Sequence, residues 1–91
     1  MRVRVRAVFA GSVQGVFFRA HAKKFANSHG VDGWVRNTEE GDVEALFEGE
    51  EDAVNAVIHD CQYSQPYARV EKIDIKREEP KGDLKGFRIN Y

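Results

Sequence analysis

The 91 residues, 42% hydrophobic and 32% charged, suit one domain with a single buried core, and exclude both a disordered chain and a membrane-spanning one. Fourteen basic against fifteen acidic side chains leave a net charge of -1, so no overall field favours nucleic acid or an anionic membrane. Any anion site must therefore be local.

Arg2, Arg4 and Arg6 alternate with Val3, Val5, Ala7 and Phe9, a period-two pattern that predicts a first strand with one buried face and a solvated, charged one. The same stretch lacks the uninterrupted apolar run of a signal peptide, so a cytoplasmic location is expected. After a glycine-bearing loop, Phe18, Ala22, Phe25, Ala26 and His29 recur at helical spacing, and Gly30 supplies a C-terminal stop. Val31 to Asn37 predicts a second strand, Thr38 to Gly41 a hairpin turn, and Val43, Ala45 and Phe47 a third strand that Gly49 ends. Glu50, Glu51 and Asp52 then place negative charge at the start of a second helix, where the dipole favours it, and this reading is preferred to a metal site. Ala53, Val54, Val57, Ile58 and Cys61 form the buried stripe of that helix. Cys61, the single cysteine, cannot form an internal disulfide and reads as a buried thiol. Gln65-Pro66 breaks the helix. Val70, Ile73 and Ile75 predict a fourth strand whose phase slips between Val70 and Ile73, the mark of a bulge. Arg77 to Gly86 reads as a charged loop, and Phe87, Ile89 and Tyr91 as a short terminal strand.

Strand, helix, strand, strand, helix, strand is the order of two split strand-helix-strand units. It predicts an α+β, ferredoxin-like βαββαβ sandwich: one antiparallel sheet, two helices on one face and a short extra C-terminal strand. Strands one and two then run parallel with strand three between them. Their C-terminal ends share one edge of the sheet, which brings the loop ending in Arg19 towards Asn37.

That loop, Gly11-Ser12-Val13-Gln14-Gly15-Val16-Phe17-Phe18-Arg19, carries the chemistry. A helix entering at about Phe18 leaves its first N–H groups without partners, and no Ser, Thr, Asp or Asn stands where it could cap them; Ser12 is too far upstream. An anion, most economically a phosphate, fits such a place. Arg19 adds a cation able to grip two oxygens at once. Read alone, it could equally be a solvated helix arginine beside glycines that merely shape a turn. Asn37 offers an acceptor and a donor without acid–base chemistry, which suits holding a water; it could also simply open the hairpin turn.

Gly11, Val13, Gln14, Gly15, Val16, Phe18 and Arg19 match the signature loop of the acylphosphatases, Gly-x-Val-Gln-Gly-Val-x-Phe-Arg. Gly33-Trp34-Val35-Arg36-Asn37, followed by Gly41, Val43 and Gly49, is similar to that family's second motif, and the resemblance covers nearly the whole chain as one domain. Ser12 falls at a variable position of the pattern, and Gln65 stands where a glycine is common. The resemblance implies that Arg19 binds phosphate and Asn37 orients the attacking water. With Arg19, loop residues Gln14, Gly15, Val16, Phe17 and Phe18 are expected to bind the substrate phosphate.

The sequence has no His/Cys/Asp cluster at metal-ligand spacing and no Ser/His/Asp arrangement, so neither a metal, a cofactor nor a covalent nucleophile is expected. A site without a general acid suits a good leaving group: an acyl phosphate expels a carboxylate whose conjugate acid has a pKa near ~4. The expected partner is a small acyl phosphate, or phosphate itself in the loop, rather than nucleic acid or membrane, and the chain is expected to be a monomer. An RNA-binding module is one alternative, but Val43-Glu44-Ala45-Leu46-Phe47 is acidic where such modules are basic. A domain of a larger carbamoyl-transfer maturation protein is a second, and would be expected to continue into a linker or zinc-finger segment after Tyr91.

Overall fold

Alternation along the first strand decides which face of the sheet is covered, because Val3, Val5, Ala7 and Phe9 are all buried in the core. The structure, a computed structural model describing residues 1–91, has the order β1 (Arg2–Ser12), α1 (Phe18–His29), β2 (Asp32–Asn37), β3 (Val43–Glu50), α2 (Glu51–Tyr63), β4 (Arg69–Glu78) and β5 (Phe87–Asn90). The strands lie in the order β4-β1-β3-β2-β5. β3 pairs antiparallel with β1 and β2, and β1 antiparallel with β4, which is the ferredoxin-like arrangement expected. The added strand β5 pairs parallel with β2, so the five-stranded sheet is mixed.

Both helices bury their apolar stripes in one cluster with the inward residues of the sheet. Phe18, Ala22 and Ala26 come from α1, and Val54, Val57, Ile58 and Cys61 from α2. Phe9 and Phe18 meet at 5.1 Å between ring centroids, and Phe47 stacks on Phe87 at 5.7 Å. Burying each such ring contributes about 2 to 3 kcal/mol. α1 ends where the sequence predicts. Gly30 takes a left-handed φ of 66°, its N–H donates to Asn27 O, and the Val31 N–H donates to Ala26 O at 2.9 Å. The Thr38 to Gly41 turn closes with the Thr38 N–H donating to Asp42 O at 2.9 Å.

The phase slip in the fourth strand is a bulge: Ala10 faces Lys72 but Gly11 faces Val70, leaving Glu71 as the extra residue of β4. Gly11 makes it possible. Its φ is 130°, and a Cβ there would come within 2.3 Å of Arg69 O.

Two expectations need correction. β4 runs on to Glu78, so the loop begins two residues later than the charged sequence suggests. Nor is the arginine face of β1 solvated along its length: Arg2 is exposed, but Arg4 is only 6% exposed and Arg6 is half-buried. Arg4 Nη1 donates to Glu48 Oε1 at 3.1 Å and to Asp83 Oδ1 at 2.8 Å, and Arg6 Nε donates to Glu78 Oε2 at 2.7 Å. Glu48 is fully buried and accepts the N–H groups of Lys81 and Gly82 at 3.1 and 2.9 Å. The segment between β4 and β5 is thereby strapped over the outer face of the sheet.

Burial opposes ionisation of Glu48, but the two amides and the Arg4 guanidinium outweigh it and hold its carboxyl below the ordinary value of 4.5. Asp83 and Glu78 are likewise lowered, first by their bonds to Arg4 and Arg6. A depressed folded pKa stabilises above the unfolded value and loses that contribution as pH falls through the folded one. Thermal melts at falling pH should therefore show stability declining on the acid side of 4.5. Glu48→Gln should cost about 3 kcal/mol near neutrality, because Arg4 loses its buried partner, and should flatten the acid limb. An unchanged acid slope in Glu48→Gln would locate the effect in other carboxyls.

Candidate active site

The topology places the end of β1 and the end of β2 on the same edge, and a cleft of about 300 Å³ opens there. Val13, Gly15, Phe17, Phe18, Arg19 and Ala20 line it from the loop and first turn of α1, Asn37 from the end of β2, and Ile89 and Tyr91 from the C-terminal segment. Phe17 is the N-cap of α1, with φ 62° and ψ 20°, and no side chain bonds to the helix start. The first intrahelical bond is from the His21 N–H to Phe17 O at 3.0 Å, so the amides of Phe18, Arg19 and Ala20 have no partner four residues back. With the dipole of α1 behind them, they form a neutral site of positive potential.

Phe17 is the one residue other than glycine with positive φ. A bulky side chain in that region costs on the order of 1 to 3 kcal/mol, and its ring, 70% exposed, recovers little by packing. Gly15, with φ 73°, is also left-handed, and a Cβ there would meet nothing within 4 Å. Backbone conformation, not crowding by the protein, therefore calls for glycine at that position.

Arg19 is half-buried, forms no salt bridge, and lies with its guanidinium carbon 5.0 Å from the centroid of the Tyr91 ring. Asn37 Oδ1 is buried and has no hydrogen-bond partner in the protein. An unpaired cation and an asparagine whose buried carbonyl oxygen has no donor thus lie at one cleft. No carboxylate, histidine or cysteine side chain lines it with them. Cys61 lies in the core, where burial, aided by the charge of Asp60, pushes its thiol up to about 12.

Of the loop residues expected to bind phosphate, Gly15, Phe17, Phe18 and Arg19 line the cleft, whereas the side chain of Gln14 turns away. Its Nε2 donates to Thr38 O at 2.9 Å and to Asp42 O at 2.8 Å, tying the loop to the β2–β3 turn just beyond Asn37. Val16 packs against the core cluster. Sequence reasoning missed Ile89 and Tyr91. Their alternation marked a strand but not its neighbour. Because β5 lies parallel to β2, with Val35 opposite Ile89 and Arg36 opposite Asn90, the next residue, Tyr91, comes beside Asn37.

An α+β sandwich of this strand order, with an uncapped helix start, a lone arginine and an unpaired asparagine around one cleft, places the chain in the ferredoxin-like class. The acylphosphatase family profile matches residues 5–89. The chain is 48% identical to an acylphosphatase of Roseiflexus sp. (strain RS-1) over 94% of its own length and 92% of that protein. It is 47% identical to one from Syntrophus aciditrophicus over 100% and 95% of the two chains. It superposes on the crystal structure of the acylphosphatase from Bacillus subtilis with a TM-score of 0.93 at 30% identity, covering 98% of this chain and 99% of the other. The chain belongs to the acylphosphatase family, hydrolases that act on acid anhydrides.

The Gln14 contacts give a test that needs no substrate. Gln14→Ala removes two hydrogen bonds and should lower the denaturant midpoint by an amount equivalent to about 1 to 2 kcal/mol. Gln14→Glu sets an acceptor-only carboxylate against two carbonyls and should be the less stable of the two variants at neutral pH. The reverse order in urea melts would show that the carboxamide is not what joins loop and turn.

Proposed function

We propose that this chain hydrolyses acyl phosphates to a carboxylate and inorganic phosphate by direct attack of water, without a metal or a covalent intermediate. The phosphoryl group sits at the start of α1, held by main-chain N–H groups between Gln14 and Arg19 and by the Arg19 guanidinium. The carbonyl of Asn37 accepts a hydrogen bond from the attacking water and fixes its approach. As the water oxygen bonds to phosphorus, the bond from phosphorus to the acyl oxygen breaks and its electron pair leaves with the carboxylate. The water proton passes to a phosphate oxygen, so no protein base is required.

The observation that carries this reading is the pairing in one cleft of an arginine without a carboxylate partner and a buried asparagine oxygen without a donor. Cation and amides stabilise charge on the transferring group, which is most of what a loose phosphoryl-transfer transition state requires. A carboxylate leaving group needs no proton, which agrees with a cleft that offers no general acid. Every residue of the proposed mechanism comes from the same chain, so turnover needs no second copy.

Two substitutions test the assignment. Arg19→Ala, if its circular dichroism and melting match the parent, should lose about 10² to 10³ in kcat on acetyl or benzoyl phosphate, a loss on the order of 3 to 4 kcal/mol. Near-full turnover in that variant would remove Arg19 from the reaction. Asn37→Ala should lower kcat while leaving competitive inhibition by inorganic phosphate nearly unchanged, since water and not phosphate is its partner. Weaker phosphate inhibition with intact kcat would reverse that role. Turnover by the parent protein should persist in excess chelator.

A further inference from the structure

The charges of this chain are unevenly placed. No Asp or Glu precedes Asp32, although the whole chain carries a net charge of -1. The arginines of β1 are nevertheless neutralised, Arg2 and Arg4 against Glu48, and Arg6 against Glu44 and Glu78. The cations of α1 are not. Arg19, Lys23 and Lys24 form no salt bridge. The one ionic contact of α1 lies at its far end, where His29 Nε2 is 3.7 Å from Asp60 Oδ2.

Lys23 follows Arg19 by four positions, so it lies on the same side of the helix one turn, about 5.4 Å, further along. Helical side chains lean towards the N-terminus and cover the turn before their own. Lys23 and Lys24, three and four positions after Ala20, therefore both lean over that residue. Ala20 lines the cleft, and it also lines a shallow depression together with Lys23, Lys24, Asn27 and Ser28. The cleft thus continues along α1 onto a surface with two exposed lysines and no carboxylate.

We propose, on the hydrolase reading above, that Lys23 and Lys24 form a second anion subsite, which selects acyl phosphates whose acyl group itself carries a carboxylate or a phosphate. In an in-line displacement the acyl oxygen departs on the side opposite the attacking water. Asn37, which holds that water, belongs to the sheet, so the acyl group is directed away from the sheet and over the exposed surface of α1 at Ala20. An anion at its far end then meets the two ammonium groups. A lysine is a point charge on a flexible stem, so it accepts a carboxylate or a phosphate without a fixed geometry. Both lysines are exposed, which keeps the gain modest and makes it sensitive to salt. The second anion is remote from phosphorus, so the effect falls on KM and not on kcat.

Benzoyl phosphates that carry methyl, carboxylate or phosphonate at the 4-position test this, because they differ only opposite the reacting carbonyl. At low ionic strength the intact parent should show a KM about three- to tenfold lower for the charged substrates than for the methyl one, with similar kcat. Which charged group gains more decides between phosphate-bearing and carboxylate-bearing acyl groups. The preference should vanish in K23Q/K24Q, invert in K23E/K24E and survive in K76Q, which removes a charge from β4. Gln and Glu are good helix formers, so α1 is retained. Each ratio is taken within one protein, so a general change in turnover cancels. Equal KM for charged and methyl substrates in the parent, or a preference kept in K23Q/K24Q, would overturn the proposal.

Calorimetry with benzylphosphonate and 4-carboxybenzylphosphonate, neither of which is hydrolysed, separates the subsite from the reaction. The carboxylated compound should bind the parent more tightly, and K23Q/K24Q should lose that difference. Such a difference in a protein that turned over no acyl phosphate would keep the subsite and reject the hydrolase. Turnover of benzoyl phosphate without any such difference would keep the hydrolase and reject the subsite.

Discussion

The position of β3 between β1 and β2 is the constraint on which the rest of the molecule depends. Because β3 pairs antiparallel with both, β1 and β2 run parallel and finish on one edge. Segments far apart in sequence are thereby delivered to the same cleft without touching along their length. The carboxamide of Gln14 completes the junction, donating to two carbonyls of the turn that follows Asn37. Loop and turn are locked by side chain to main chain bonds, so their spacing does not depend on the strands alone.

The site is built mainly from backbone. A helix start without a cap and a left-handed phenylalanine are locally unfavourable, and both are tolerated because the core holds α1 in place. Phe18, the first residue of the helix, is 1% exposed and packs against Phe9 of the preceding strand. Apolar burial at one residue thus supports strain at the residue before it. The chemical groups that result, amides, one guanidinium and one carboxamide, carry no acid or base active near neutrality, which limits the chemistry to holding charge and aligning reactants.

The two faces of the sheet are stabilised by different physics. Towards the helices lies an apolar core. On the other face, Arg4, Glu48, Asp83, Arg6, Glu78 and Glu44 form a connected ionic layer, with Arg6 also over the Trp34 ring at 5.6 Å. Desolvating Glu48 is costly, and the bonds it accepts from Lys81 and Gly82 offset that cost while fixing the segment that leads into β5. This segment lies between β4 and β5 and so conditions the approach of Ile89 and Tyr91 to the cleft.

Much of this was legible in the residues themselves. Alternation in β1 and helical spacing in α1 and α2 reflect which side chains must leave water, a local property of the chain, and they gave the ferredoxin-like order. The absence of a capping side chain before Phe18 pointed to the cleft, and the slip between Val70 and Ile73 to the bulge. Tertiary structure alone decided three things: the burial of Arg4, the parallel seat of β5 that brings Tyr91 beside Arg19, and the turning of Gln14 towards the hairpin. An arginine reads as solvated unless its partners are known, and here they come from β3, β4 and the following segment. Periodicity records whether a side chain is buried, but not which distant strand or carbonyl buries it.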